Sequence, residues 1–303
     1  MYSVGVDIGG TQTRVALVND IGEVFKKEAF KTLKDNPVEN LNKINEIIKS
    51  FNVDVVGVGI SCPGPLDLKN GIVLTPPNLP GWHNFHLKAE SEKIMQLPAF
   101  VENDANLAGL AEAVYGAGKG LDIVQYLTIS TGIGGGLTIN KEIYQGSNGF
   151  AQEIANSILW KDGPQQGILK KGSLESISSG TAITKRANDL GLLVDHAGEV
   201  NDLAKAGNKD AAVIMEDAKE YLSNMLAIMI AILDPNIIVL GGGVALKIDG
   251  FVKEIKDRVT SKVYDVQKDS INIVKAQLGD DNGLIGGAAL AFLKVAEEKN
   301  VNN

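Results

Sequence analysis

The feature that most constrains this chain is a pattern that occurs twice. A β-rich run from Tyr2 to Asp7 meets the turn Ile8-Gly-Gly-Thr-Gln-Thr-Arg14 and returns as Val15-Ala-Leu-Val18. Gln125-Tyr-Leu-Thr-Ile129 likewise enters Ser130-Thr-Gly-Ile-Gly-Gly-Gly136 and returns as Leu137-Thr-Ile139. Strand, glycine-rich turn and returning strand make a hairpin signal. The copies begin about 120 residues apart, which points to two related halves rather than a short-period solenoid. A length of 303 residues, at roughly 150 per domain, also predicts about two domains. The expected architecture is therefore a two-lobed α/β protein with an interdomain cleft. An N-terminal lobe covers 1–118 and a C-terminal lobe 119–285. A final Ala-rich helix, 286–303, is expected to pack back on the first lobe, and Gly116-Ala-Gly-Lys-Gly120 is the candidate crossing between lobes.

Periodicity fills in the elements. Asn40 to Phe51 carries apolar residues at helical spacing, namely Leu41, Ile44, Ile47, Ile48 and Phe51. Val53 to Ile60 is an apolar, β-branched run that reads as a strand buried on both faces, ended by the breakers Cys62-Pro-Gly-Pro65. A short strand from Ala99 to Val101 leads into Glu102-Asn-Asp-Ala-Asn106 and a helix through about Tyr115. Ala211 to Leu233 predicts a long helix stopped by Asp234-Pro235, followed by a strand over Ile237–Leu240 and a tight turn at Gly241-Gly-Gly243.

Composition removes several classes. Apolar residues make up 44% and charged residues 22%, ordinary for a globular chain. The longest apolar run, Met225 to Leu233, is nine residues, about half of a bilayer crossing. Asp7 interrupts the first apolar stretch, so no secretory leader pattern is present and a cytoplasmic location is expected. A single cysteine, Cys62, excludes a disulfide framework and a cysteine-rich metal site; it reads as a buried small residue. A net charge of −8 repels polyanions, which argues against nucleic acid as the main partner. His83, His86 and His196 are too scattered for a metal triad. Met225, Met229 and Ile230 read as core or subunit interface.

The turns are where chemistry is expected. Gly9 and Gly10 let backbone N–H groups approach an anion, while Thr11, Gln12 and Thr13 add side-chain donors. Asp7, at the strand end, can hold a hydrated Mg²⁺ that neutralises phosphate. An ordinary acidic hairpin explains the same residues. A second turn with Thr131, Gly132, Gly134 and Gly135 raises the case for a nucleotide site, and Gly242 can admit a flat ring against bare backbone. Neither the Walker-A spacing nor the dinucleotide fingerprint occurs. Asp104, at the end of a strand and the start of a helix, suits either a catalytic carboxylate or a helix N-cap.

Asp7-x-Gly-Gly-Thr11-x-Thr-Arg14, Pro63-Gly-Pro65, Pro77-Asn-Leu-Pro-Gly-Trp82, Glu102-Asn-Asp-Ala-Asn106 and Ser130-Thr-Gly-Ile-Gly-Gly-Gly136 occur in order along nearly the whole chain. In combination they resemble the ROK family of bacterial sugar kinases and repressors. The resemblance implies an actin-like, ribonuclease-H-like ATPase fold, a sugar bound between the lobes, and transfer of the ATP γ-phosphoryl group to a sugar hydroxyl, usually the 6-OH. It implies Asp104 as the base that receives the hydroxyl proton. Asn103 and Asn78 would hydrogen-bond sugar hydroxyls, and Gly64 would let the backbone approach the ring. Glu153 and Glu175 would accept from further hydroxyls; two surface carboxylates on helices is the other reading. A homodimer is what the family suggests.

One part departs from the family's pattern. The usual Glu-x-Gly-His motif reads Glu153-Ile-Ala-Asn156, so the histidine that ligates a structural zinc in many members is Asn156. The three cysteine positions are Gln166, Ile168 and Ser173, none a zinc ligand. The expectation is ATP and Mg²⁺ without zinc, and a pocket remodelled on its C1 and C2 side. An N-acetyl group has to fit there, so N-acetylmannosamine is placed ahead of glucose. Two alternatives stand beside an ATP-dependent sugar kinase. One is a sugar-responsive repressor, disfavoured because Asp7 leaves no room ahead of it for a helix-turn-helix. The other is a sugar-binding relative without catalysis.

Overall fold

The computed structural model describes residues 1–301. The elements run β1 (Tyr2–Ile8), β2 (Gln12–Asn19), β3 (Val24–Lys31), α1 (Pro37–Ser50), β4 (Val58–Ser61), β5 (Leu66–Asp67), β6 (Ile72–Val73), α2 (Leu87–Met95), β7 (Ala99–Glu102) and α3 (Asp104–Val114). They continue as β8 (Ile123–Ile129), β9 (Ile133–Ile139), β10 (Glu142–Ile143), α4 (Leu174–Ser178), α5 (Gly180–Asp189), α6 (Ala197–Lys205) and α7 (Lys209–Leu233). The last are β11 (Ile237–Gly241), α8 (Gly242–Lys247), α9 (Phe251–Thr260), β12 (Ile273–Lys275) and α10 (Asn282–Val301).

The two predicted halves share one plan. One sheet has the order β3-β2-β1-β4-β7 and the other β10-β9-β8-β11-β12. In the first, β1 is antiparallel to β2 and parallel to β4, which is parallel to β7. In the second, β8 is antiparallel to β9 and parallel to β11, which is parallel to β12.

The chain divides into two compact units, one of Met1–Gly120, Lys141–Gly149 and Leu278–Asn303, the other of Leu121–Asn140 and Phe150–Gln277. The boundaries read from sequence, 1–118 and 119–285, are thus displaced: residues 141–149 rejoin the first unit, and the return to it begins at Leu278.

Strand alternation fixes how the first sheet is covered. Val4, Val6 and Ile8, with Val15 and Leu17, point into a core shared with Leu41, Ile44 and Ile48 of α1. On the other face, Ser3, Gly5 and Gly59 are small and meet α10. Ser3 Oγ donates to the Ala288 carbonyl at 2.9 Å. A Cβ on Gly5 would lie 1.8 Å from the Leu284 carbonyl oxygen, and one on Gly59 would lie 1.9 Å from that of Gly287. The last helix therefore rests directly on strand backbone, as expected, and it starts at Asn282 rather than Gly286. The predicted strand over Val53–Ile60 is confined to its end, Val58–Ser61. Asn52 takes a positive φ of 55° and Val53 and Asp54 face solvent, so the strand pairs in register only from Val58. In the second unit α7 runs Lys209–Leu233 and ends at Asp234, whose φ of 44° is a left-handed cap ahead of Pro235. Among the described residues no helix is long and apolar enough to cross a membrane.

Candidate active site

In the first unit the chemistry collects at the carboxyl edge of three neighbouring parallel strands, where open α/β sheets bind ligands. Asp7 of β1 is in register with Ser61 of β4, which is in register with Glu102 of β7. Gly9 N–H donates to the Gln12 carbonyl at 2.9 Å and closes the β1–β2 turn. Gly10 lies against Asn78, whose Cβ would be 3.0 Å from a Cβ added at Gly10. The structure thus brings together two of the predicted positions. Asn78 is held out by its neighbours: Leu79 and Trp82 are fully buried, and Trp82 Nε1 donates to the Leu33 carbonyl at 3.1 Å. Thr11 and Gln12 are exposed. Thr13 is not available to a nucleotide: it is fully buried, with Oγ1 3.0 Å from Thr32 Oγ1 and bonded to Asn40. Gln12 already begins β2, so alternation turns Thr13 inward. A side chain at Gly64 would meet only ordinary van der Waals contact, its nearest atom being the Leu66 amide nitrogen at 3.6 Å.

Asp7 is paired with a residue that had no assigned role. The hairpin register sets Arg14 opposite Asp7, and Arg14 Nε and Nη2 donate to the same Asp7 oxygen, Oδ2, at 3.0 and 2.6 Å. Arg14 Nη1 donates to the Asp280 carbonyl at 3.0 Å. A cross-strand pair of opposite charge is the signal that could have found this.

Asp104 opens α3. Asn103 is the N-cap, its Oδ1 accepting from the N–H groups of Ala105 and Asn106. The cap role is thus taken by Asn103, and Asp104 is the first helical residue. Asp104 is exposed, and its Oδ1 accepts the Ala105 N–H at 2.8 Å. Its proton affinity is raised, chiefly because the surrounding protein desolvates the carboxylate and further by the charge of Asp7, against the Ala105 hydrogen bond. Cys62, buried beside these carboxylates, has its thiol pushed well up by burial and by Asp7 and Asp104, so it stays a neutral packing residue. Glu102 is 1% exposed and its proton affinity is raised by desolvation.

In the second unit the β8–β9 turn is shorter than its glycines suggest. Only Ser130 to Gly132 lie outside strands, with Ser130 N–H donating to the Gly132 carbonyl at 2.8 Å. Gly134 and Gly135 belong to β9, opposite Thr128 and Leu127, and Gly135 is buried against Gln152. Thr131 is exposed. Glu175, in the first turn of α4, braces this turn: its Oε2 accepts the Ile133 N–H at 2.7 Å and lies 2.6 Å from where a Gly132 Cβ would be. It is a fixed carboxylate rather than a free surface one. Gly241-Gly-Gly243 is not a simple turn either. Gly241 ends β11, and Gly242, at φ 83°, opens α8 with its bare face on the Ile129 backbone, 2.4 Å from the carbonyl oxygen.

Glu153 caps the 3-10 turn Ile154–Asn156 and is exposed. The positions of the family's zinc ligands are taken by other bonds. Asn156 Oδ1 accepts the Lys170 N–H at 3.0 Å, and Gln166 Oε1 accepts from Ser179 Oγ at 3.3 Å. Ser173 Oγ donates to Ser176 Oγ at 2.9 Å, and Ile168 is fully exposed. An amide, a hydrocarbon and a hydroxyl do not fit a zinc that takes thiolate and imidazole. Among the described residues no group of three or more His, Cys, Asp or Glu is placed to hold a metal.

The model of the family described as ROK matches residues 3–294. This chain belongs to the ROK family. The glucokinase of Thermotoga maritima is 32% identical over 95% of this chain and 96% of its own length. The N-acetylmannosamine kinase of Escherichia coli O6:H1 is 28% identical over 94% of this chain and 97% of its own. A ROK glucokinase from Streptomyces griseus, solved with glucose and AMPPNP, superposes with a TM-score of 0.75 at 29% identity, covering 97% of this chain and 100% of that one. The ROK chain described here is a carbohydrate kinase with a two-lobed, actin-like α/β fold. Its relatives span more than one sugar.

Proposed function

We propose that this ROK kinase transfers the γ-phosphoryl group of ATP to the 6-OH of a hexose or N-acetylhexosamine, with N-acetylmannosamine ahead of glucose. The observation that carries the reaction is Asp104: an exposed carboxylate with raised proton affinity, set at a strand edge beside Asp7. Phosphoryl transfer is mostly positioning and charge stabilisation, yet the attacking hydroxyl must give up a proton. A carboxylate is a better base as its pKa approaches working pH from below. Asp104 takes the 6-OH proton while Asn103, Asn78 and the bare backbone at Gly64 hold the sugar. Gly9, Gly10, Thr11 and Gln12, with Thr131, Gly132 and the backbone at Gly242, serve the nucleotide. Asp7 has one oxygen engaged by Arg14, and the other suits a Mg²⁺-bound water; Mg²⁺ accompanying ATP supplies neutralisation of phosphate charge.

The substrate preference rests on the altered C1–C2 side. Asn156 is tied to the backbone of Lys170 in place of a metal, so Glu153, Asn156 and Glu175 meet the sugar without a zinc-ordered loop. We take the protein to work as a zinc-free cytoplasmic homodimer with no nucleic-acid partner. Glucose is the second reading, favoured by the higher identity to the Thermotoga glucokinase.

The test is ADP release from Mg·ATP with N-acetylmannosamine, N-acetylglucosamine, glucose, mannose, fructose and allose. Turnover is expected on N-acetylmannosamine first, from a preparation without stoichiometric zinc. Asp104→Asn should lower kcat by about 10²-fold or more, the scale of general base catalysis. Near-normal turnover in that variant would sink the assignment of the base. Silence with every sugar, while one still raises Tm, would make the chain a binding relative.

A further inference from the structure

Behind Asp104 lies a buried carboxylate that the reaction does not use. Glu102 ends β7, two residues before Asp104, and is 1% exposed. Both of its oxygens are occupied by donors. Oε1 accepts the Asn103 N–H at 2.8 Å and Asn106 Nδ2 at 2.9 Å. Oε2 accepts Gln145 Nε2 at 2.5 Å. Three donors from three places thus converge on one side chain: the cap residue, the first turn of α3, and the segment after β10.

The amide of Asn106 shows which of these bonds dominates. Its Oδ1 is buried and has no partner, although Asn106 is only 5% exposed. A buried carbonyl left unpaired is costly. Turning the amide over would aim that oxygen at the Glu102 carboxylate, replacing an attraction with a repulsion. The orphan persists because Nδ2 is committed to Glu102. The constraint on the first turn of α3 is therefore imposed from Glu102 rather than chosen by the helix.

We propose that Glu102 is a positioning residue for Asp104, and that Gln145 is the latch that holds Glu102 in place. The proposal rests on the reading of Asp104 as base. Glu102 does not contact Asp104 or a reacting atom. It fixes the backbone at Asn103 and, through Asn106, the turn whose Ala105 N–H both Asn103 and Asp104 engage. With Gln145 removed, Glu102 keeps its bonds to α3 but loses its outer anchor. The carboxylate of Asp104 then samples a wider range about the hydroxyl it must deprotonate, which slows chemistry and leaves ATP binding alone.

Gln145→Ala, Glu102→Ala and Glu102→Gln are the variants. Glu102→Gln preserves shape, and rotation of the Gln145 amide restores the third bond. In the sugar panel, Gln145→Ala should lower kcat about fivefold with KM for ATP unchanged within twofold. Glu102→Ala should lower it more than tenfold, and Glu102→Gln should recover most of that loss. A merely structural role predicts lower Tm in step with lower activity and no split between kcat and KM. Where Glu102→Ala does not fold, Gln145→Ala decides alone, since Gln145 lies outside the core. Amide hydrogen exchange reads the same geometry without substrate: exchange at Ala105 and Asn106 should quicken in Gln145→Ala. Unchanged kcat in Gln145→Ala, or unchanged exchange where no sugar turns over, overturns the proposal. A wild-type protein silent on every sugar defeats the kinase reading instead, and the exchange measurement still judges this one.

Discussion

At the scale of the residue, the catalytic role proposed for Asp104 sets it against the fold. Desolvation and Asp7 make its carboxylate hold a proton more tightly than it would in the unfolded chain. Such a group subtracts stability once pH is above its folded pKa and subtracts none below its unfolded value near about 4. Asp104→Asn keeps the oxygen that accepts the Ala105 N–H and removes the charge. The variant should therefore melt above wild type at pH 7, with the gap closing as pH falls below about 4. Calorimetry between pH 3.5 and 7.5 checks this, and a lower Tm for the variant at pH 7 would contradict it. The same sign governs activity: kcat should fall along an acid limb lying above the range of an ordinary aspartate. Arg14 limits how far this goes, because its two bonds to Asp7 offset the charge that Asp104 faces.

At the scale of the element, the two glycine hairpins are alike in strand order but braced differently. The first turn lies on a neutral side chain, Asn78, and the second on a carboxylate, Glu175. A methyl group at Gly132 displaces a flexible side-chain end, which is cheap for the fold, but breaks the Glu175 bond to Ile133 N–H. Gly132→Ala should raise KM for ATP about tenfold, because the turn loses the brace that holds its N–H groups in place for phosphate. Its Tm should fall by only the few degrees that one hydrogen bond of about 1.5 kcal/mol is worth; steady-state kinetics beside thermal melts would separate the two effects. An unchanged KM would mean that the turn does not handle phosphate. These braces were not legible in the sequence, although the hairpins were. Alternation and glycine clusters announce a strand and its turn, because both are local. They also announce α7, whose apolar spacing and Asp234-Pro235 stop are local too. Glu175 reaches Ile133 across 42 residues, and Gln145 reaches Glu102 across 43, so those pairs exist only after folding. The burial of Thr13 has a related reason: the strand begins at Gln12, three residues before the apparent turn ends, and alternation then turns the hydroxyl inward.

At the scale of the whole molecule, the first unit depends on a helix from the far end of the chain. Gly5, Gly59, Gly286 and Gly287 let backbone meet backbone where α10 rests on β1, β4 and α3. A Cβ at Gly59 would meet a carbonyl oxygen in the middle of a helix, which cannot swing aside. Gly59→Ala should cost about 3 kcal/mol, the upper range of overpacking, and lower Tm by several degrees. A melt indistinguishable from wild type would show that the contact is looser than described. The same docking has a consequence for how the protein is made. The first unit draws on residues 1–120, 141–149 and 278 onward, whereas the second is finished by residue 277. On the ribosome the order of completion is thus the reverse of the order of synthesis. The strand edge that carries Asp7 and Asp104 emerges well before α10. It must wait, with one face of its sheet bare, until α10 arrives to cover it.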